Sequence, residues 1–263
     1  MAPNNTVAAV RQARERLSKG EVLNGIFCKT TAPEFVECIG YAGFDFCILD
    51  MEHSPVDYET LQNLIRPAEV SGVMPVVRTC DAQAGNIEKP LDLGAAGVQV
   101  PQVASRETAC AVVSAARYAP EGQRGVCRFV RAAHFSSMNR AEYFAAANEA
   151  LVILQLEGTH LAAYEEIAGL PGVDILFIGP YDLSQKLGMP GEIEHPRVQE
   201  EIRKIIGIAR AKGKTVGVFA DTVEQAARWV ALGCQYIAYS VDTGLFYKTC
   251  RETVQALKGL TPC

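Results

Sequence analysis

The chain has 263 residues, of which 49% are hydrophobic and 21% charged, with a formal net charge of −5. That size and apolar content suit one large α/β domain, and a mildly acidic chain with no Lys/Arg block excludes nucleic acid and anionic membranes as expected partners. No apolar run approaches the ~20 residues that span a bilayer, and the leading MAPNNTVAAVRQARERLSKG has no signal-peptide core, so a cytoplasmic protein is expected.

The elements alternate in chain order. A helix over Val7–Leu17 precedes the first strand and is predicted to plug the base of the domain. Strands are expected over Asn24–Lys29, Phe44–Leu49, Met74–Arg78, Gly97–Pro101, Leu151–Leu156, Val173–Ile178, Thr215–Phe219 and Tyr236–Ser240. Helices are expected over Ala32–Ala42, Asp57–Ser71, Ala84–Leu93, Arg106–Arg117, Leu161–Gly169, Pro196–Lys212, Val223–Leu232 and Thr243–Lys258. Eight strand–helix units in one chain predict a single (β/α)8 TIM barrel over 1–263, preceded by the N-terminal helix. An open doubly wound sheet would show a glycine-rich phosphate turn after the first strand, and NGIFCKT is not one. Gly43, Gly94, Gly213 and Gly233 follow helical stretches and are read as C-terminal caps. The nine scattered cysteines, Cys28 to Cys263, contain no CxxC pair and read as reduced thiols.

Two connections are long: Tyr118–Arg140, which carries Arg124, Arg128 and Arg131, and Gly179–His195. Long loops in a compact domain are usually functional. The arginine-bearing loop reads as an anion-binding lid or an oligomer contact.

Polar residues sit where apolar runs end, which is where a barrel of this type places its chemistry. His53 follows FDFCILDMEH and is the natural proton shuttle, with Asp50 or another carboxylate to hold its tautomer. Glu52 is aimed elsewhere if strand alternation continues through it. Arg78 ends VMPVVR and suits a carboxylate or enolate oxygen, a structural ion pair being the other reading. Glu157 ends LVILQLE and Asp182 follows VDILFIGP. Two such carboxylates repel unless a proton or a cation lies between them, and a hard divalent ion is the simple solution; the other reading is a pair of helix caps. Gln155 shares the face of Glu157. Gly179 and Pro180 offer backbone that a substrate can approach closely, or form a plain tight turn.

The segments DFCILDMEHSP, PVVR, LDLGAAGVQVPQV, ARYAPEGQRGV, LQLE and FIGPYDLSQKLG together resemble the HpcH/HpaI family of class II pyruvate-dependent aldolases, from about Asn24 to Ser240. The resemblance implies that Glu157 and Asp182 bind a divalent metal (Mg2+, Mn2+ or Co2+), that His53 is the catalytic histidine with Asp92 as its paired acid, and that Asp50 is a supporting acid. It implies that Arg78 faces the carbonyl oxygen of pyruvate. The implied reaction is reversible cleavage of a 4-hydroxy-2-oxo acid to pyruvate and an aldehyde through a metal-stabilised enolate, with no Schiff-base lysine. Of the strand candidates, only the first has a lysine near its end. Oxaloacetate decarboxylation and enolate trapping would use the same groups. A CoA-thioester lyase subunit related to citrate lyase beta and a non-catalytic binding barrel are further readings, against which His53 and the intact set of polar residues respectively stand. The partners implied are small molecules and further copies of the chain, as a trimer or hexamer. The last helix would be exchanged between subunits, with Trp229 and Phe246 as apolar contacts. Three features depart from the family pattern: Gly158 follows Glu157, Pro90 is expected to bend the helix bearing Asp92, and the long loop carries Arg128 and Arg131, either of which is read as selecting an acidic or phosphorylated aldehyde or as binding a neighbouring subunit.

Overall fold

The structure, a computed structural model, describes residues 5–260. Eight parallel strands pair in sequence order and close on themselves. They are β1 (Leu23–Cys28), β2 (Phe46–Asp50), β3 (Met74–Arg78), β4 (Gly97–Val100), β5 (Leu151–Leu156), β6 (Ile175–Ile178), β7 (Thr215–Ala220) and β8 (Tyr236–Val241). This is the (β/α)8 barrel expected from the alternation of elements. The helices are α1 (Asn5–Ser18), α2 (Pro33–Tyr41), α3 (Tyr58–Ser71), α4 (Ala84–Leu93), α5 (Arg106–Ala116), α6 (Arg140–Ala147), α7 (Leu161–Ala168), α8 (Pro180–Lys186), α9 (Pro196–Ala211), α10 (Val223–Ala231) and α11 (Asp242–Lys258). Element ends move by one or two residues from the sequence reading.

Both long connections contain structure that the sequence reading did not assign. Tyr118–Arg140 holds a 3-10 turn, Arg131–Ser136, and leads into α6, whose N-cap Asn139 accepts from the backbone N–H of Ala141 and Glu142. The Gly179–His195 connection opens with α8, which places Pro180 at its start and Asp182 in its first turn. Pro90 does not interrupt α4, which runs to Leu93 and stops at Gly94 with φ 101°.

The lumen and the outer shell have separate cores. Phe46, Ile48, Val76, Ile153, Phe177 and Tyr236 fill the lumen, and Val10, Ala13 and Leu17 of α1 pack beneath them, so α1 closes the base as expected. Phe46 and Tyr236 stack with centroids 3.7 Å apart, and Gly25 leaves the room they occupy: a Cβ there would lie 2.1 Å from the Phe46 ring. Between strands and helices lie apolar layers such as Leu49, Leu61, Leu64, Ile65 and Val77. Burial of this kind contributes roughly 25 cal/mol per Å2 of apolar surface and fixes which end of each strand is left for polar groups. Cysteines 28, 38, 47, 80, 110, 127, 234 and 250 are free thiols, and Cys263 lies outside the described residues. Among the described residues no helix is long and apolar enough to cross a membrane.

Candidate active site

A cavity of about 290 Å3 opens at the carboxyl ends of the strands, lined by Phe27, Lys29, His53, Arg78, Gln155, Glu157, Phe177, Gly179, Pro180, Tyr181, Asp182, Phe219 and Val241. One wall is polar and the other is mostly aromatic. Phe27 joins the two, 5.9 Å from Phe219 and 6.2 Å from Phe177, with the Arg78 guanidinium 4.8 Å above its own ring.

Register builds the polar wall. Asp50 ends β2 directly opposite Arg78 at the end of β3. Asp50 is fully buried and accepts from Arg78 Nε at 2.8 Å and Nη2 at 2.7 Å, and from Lys29 Nζ at 2.7 Å. Burial alone would raise the Asp50 carboxyl. The hydrogen bonds and charges of Arg78 and Lys29 override it and hold Asp50 at about 2. Arg78 Nη1 lies 3.1 Å from Glu52, giving an alternating row Lys29, Asp50, Arg78, Glu52. The other carboxylate oxygen of Glu52 accepts weakly from Gln102 at 3.5 Å. Burial pushes the Glu52 carboxyl up against the opposing pull of Arg78 and His53.

His53 sits at the cavity mouth with its side chain 59% exposed, and its Nε2 lies 3.8 Å from Glu52. The acid beside it is therefore Glu52, which the sequence reading had aimed elsewhere. The chain bends immediately after β2, so the two-residue alternation of a strand does not extend to Glu52.

A second polar run continues round the barrel. Gln99 on β4 donates to Gln155 on β5, and Gln155 Nε2 donates to Glu157 Oε1 at 2.5 Å. The other oxygen of Glu157 accepts from the backbone N–H of Gln102 at 2.9 Å. Gln102 presents that N–H from a left-handed conformation, φ 55°, uncommon for a residue with a side chain. The Oε1 of Gln99 is buried with no hydrogen-bond partner. Glu157 itself is pushed up to about 7, first by burial and then by the charge of Asp182. Gly179 permits this packing: a Cβ there would meet Glu157 Oε1 at 2.9 Å. Among the described residues, no group of three His, Cys, Asp or Glu side chains is arranged to enclose a metal.

The structure thus brings His53, Arg78, Gln155, Glu157, Gly179, Pro180 and Asp182 to one cavity, with Asp50 directly behind Arg78. It does not bring Asp92 or Arg131 there. Asp92 Oδ1 accepts from Arg124 Nη2 at 2.6 Å, so the expected His53–Asp92 pairing is not made within the chain. Arg131 donates to Glu69 at 3.0 Å and to the Leu93 carbonyl at 2.8 Å. It pins the long loop to α3 and α4 instead of lining the cavity. Arg124 stacks on Tyr118 and Arg128 on Phe129. Trp229 is a core residue, 1% exposed, and offers no surface to a second subunit, whereas Phe246 is 61% exposed. Lys29, Glu52, Gln99 and Gln102 also border the site, and the sequence pattern does not single them out as site residues. Lys29 stood out only as the one lysine near a strand end.

The family model for HpcH/HpaI aldolase/citrate lyase matches residues 23–249. A 2-dehydro-3,6-dideoxy-6-sulfogluconate aldolase from Pseudomonas putida is 35% identical over 89% of this chain and 92% of its own length. A hydroxypyruvate/pyruvate aldolase from Pseudomonas aeruginosa is 36% identical over 96% of this chain and 95% of its own. The crystal structure of an HpcH/HpaI aldolase/citrate lyase family protein from Burkholderia cenocepacia superposes with a TM-score of 0.90 at 30% identity, covering 94% of this chain and 99% of that one.

Proposed function

The chain belongs to the HpcH/HpaI aldolase/citrate lyase family and is an aldehyde-lyase, and we propose that it reversibly cleaves a 4-hydroxy-2-oxo acid to pyruvate and an aldehyde in the strand-end cavity. The observation that carries this reading is the placing of Glu157, Asp182, Arg78 and His53 around one 290 Å3 space.

We assign Glu157 and Asp182 as the ligands of a divalent cation such as Mg2+, Mn2+ or Co2+. Their chemistry fits such an ion: two acidic oxygen donors, one held up at about 7 by burial and by the other's charge, with Gln155 alongside. Hard cations of this kind commonly take one or two protein carboxylates and leave other positions to water and substrate. When bound, the cation supplies Lewis-acid stabilisation of charge developing on the 2-oxo group.

The residues of the chain supply the rest. A guanidinium has five N–H donors. Asp50 takes one from Nε and one from Nη2, and Nη1 forms an ion pair with Glu52 at 3.1 Å, so N–H donors remain on both Nη atoms for the substrate's carbonyl oxygen. Asp50 fixes the plane of that fork before the substrate arrives, so little reorganisation is needed as charge grows on the oxygen. His53 removes the proton from the 4-hydroxyl. The C3–C4 bond then breaks, its electrons pass to the 2-oxo group as an enolate, and the aldehyde leaves. Protonation at C3 completes pyruvate. Phe27, Phe177 and Phe219 hold water away from the enolate.

Self-association fits α11, on which Phe246, Tyr247, Val254 and Leu257 are exposed. Analytical ultracentrifugation of the wild type and Phe246→Glu reads this directly: a monomeric wild type rejects it.

The functional test is pyruvate release from a series of 4-hydroxy-2-oxo acids and from oxaloacetate, after chelation and re-addition of Mg2+, Mn2+ or Co2+. Metal-restored release from an aldol acid is the expected result. Full activity in chelator overturns the metal assignment, and release from oxaloacetate alone replaces cleavage by decarboxylation.

A further inference from the structure

In the arginine-bearing loop, Arg124 and Arg131 are committed to Asp92 and Glu69 and do not reach a charged aldehyde. The cavity's unassigned cation is Lys29, one residue beyond β1. We propose that Lys29 determines acceptor specificity, its ammonium binding a carboxylate carried by the aldehyde half of the substrate. The inference rests on the aldolase reading above and deepens it.

Three observations place Lys29 on the aldehyde side. The strand order puts β1 four strands from β5 in either direction round the eight-stranded barrel, so Lys29 lies across the lumen from Glu157. A 2-oxo acid held at Glu157 and Asp182 therefore directs its reacting carbon toward β1 and β2. Lys29 Nζ also lies 3.4 Å from the backbone carbonyl of His53, the residue assigned to the acceptor oxygen. Finally, Lys29 can keep its bond to Asp50 while a further N–H meets a ligand, and the two-bond fork between Asp50 and Arg78 does not pass through it.

An ammonium has three N–H donors. Asp50 and the His53 carbonyl engage two, leaving one. Glu52, the next acid in the row, lies 3.1 Å from Arg78 and 3.8 Å from His53 and accepts weakly from Gln102 at 3.5 Å. The Lys29 side chain is 29% exposed, enough to meet a ligand and too little for water to screen it fully. Beside β1, Phe219 and Val241 give the cavity an apolar side, and the neighbouring Asp242 carboxylate is taken up by the backbone N–H groups of Lys29, Thr30 and Thr243.

The test compares Lys29→Met, which keeps the apolar stem, and Lys29→Arg with the wild type, in condensation of pyruvate with succinic semialdehyde or with butanal. These acceptors share a four-carbon chain and differ in one carboxylate. Loss of a charge-assisted hydrogen bond corresponds to about ten- to a hundredfold. The wild type should prefer succinic semialdehyde, and Lys29→Met should lower that preference at least about tenfold while Lys29→Arg keeps most of it. A wild type indifferent to the carboxylate overturns the proposal. An equal loss for both aldehydes overturns it too, because Lys29 would then act only by supporting Asp50. Failure of the wild type to join pyruvate to either aldehyde sinks the aldolase reading instead. Calorimetric titration of succinic semialdehyde into wild type and Lys29→Met then decides the Lys29 proposal without turnover: weaker binding to Lys29→Met upholds it, and equal binding overturns it.

Discussion

Asp50→Asn isolates the charge that organises the polar wall. The substitution keeps the shape of the side chain but leaves Arg78 and Lys29 without their shared anion. Asp50 is fully buried, and its carboxyl falls from 3.8 to about 2. At about 1.4 kcal/mol per pH unit, the ionised form is worth about 2 kcal/mol to the fold. Breaking a buried pair typically costs about 3–5 kcal/mol; Lys29 is partly solvated, which puts the expected loss near the lower end, about 3 kcal/mol. Urea unfolding followed by circular dichroism, at fixed protein concentration because self-association also stabilises, measures it. The pH dependence supplies a second readout. The folded carboxyl ionises at lower pH than the unfolded one, so the stabilisation is present in full above the unfolded value of 3.8. It fades as pH falls from there through about 2. The stability gap between wild type and Asp50→Asn should thus be constant from neutral pH down to about 5 and narrow in more acid solution. A gap below about 1 kcal/mol at pH 7, or one that does not narrow in acid, would refute the account of Asp50 as the anion shared by two cations.

The same geometry sets further outcomes. Glu157→Gln and Asp182→Asn should each lose Mn2+ binding by calorimetry and cleavage activity together, the latter by about a hundredfold or more; loss of activity with unchanged Mn2+ affinity would reassign both residues. Gly179→Ala introduces a Cβ 2.9 Å from Glu157 Oε1, so that carboxylate must move. Its Mn2+ affinity should drop about tenfold with little change in melting temperature, and wild-type affinity would show that the carboxylate position is not critical. His53→Ala should slow aldol cleavage by about a hundredfold or more yet still exchange the methyl protons of pyruvate with solvent. Normal cleavage by that variant would mean that another group moves the proton.

The barrel and half of the site were legible because burial leaves a plain mark. Runs such as FCILD and LVILQL are buried from end to end, and the polar residues at or beyond their ends fall at the cavity. Gln155 and Glu157 were readable together because alternation holds across β5 to that point. Glu52 was not, because alternation stops where β2 ends. Gln99 carried a signal that was passed over: a polar side chain inside the four-residue buried strand GVQV must find a partner or meet a ligand. The partners of Asp92 and Arg131 are a different matter. Arg124 lies 32 residues from Asp92, and Glu69 lies 62 from Arg131. Those contacts depend on how the long loop folds back over α3 and α4, which no local spacing encodes.

Exposure rises across the cavity, from Gln155 at 1% and Glu157 at 5% to the side chains of Lys29 at 29% and His53 at 59%. With α1 closing the base of the barrel, the cavity opens past His53, and whatever sits against Glu157 lies deeper in it than whatever sits against His53. That imposes an order on turnover. In cleavage the aldehyde departs first and pyruvate last. Pyruvate should therefore compete with the incoming oxo acid for free enzyme, while the aldehyde should inhibit by a mixed pattern.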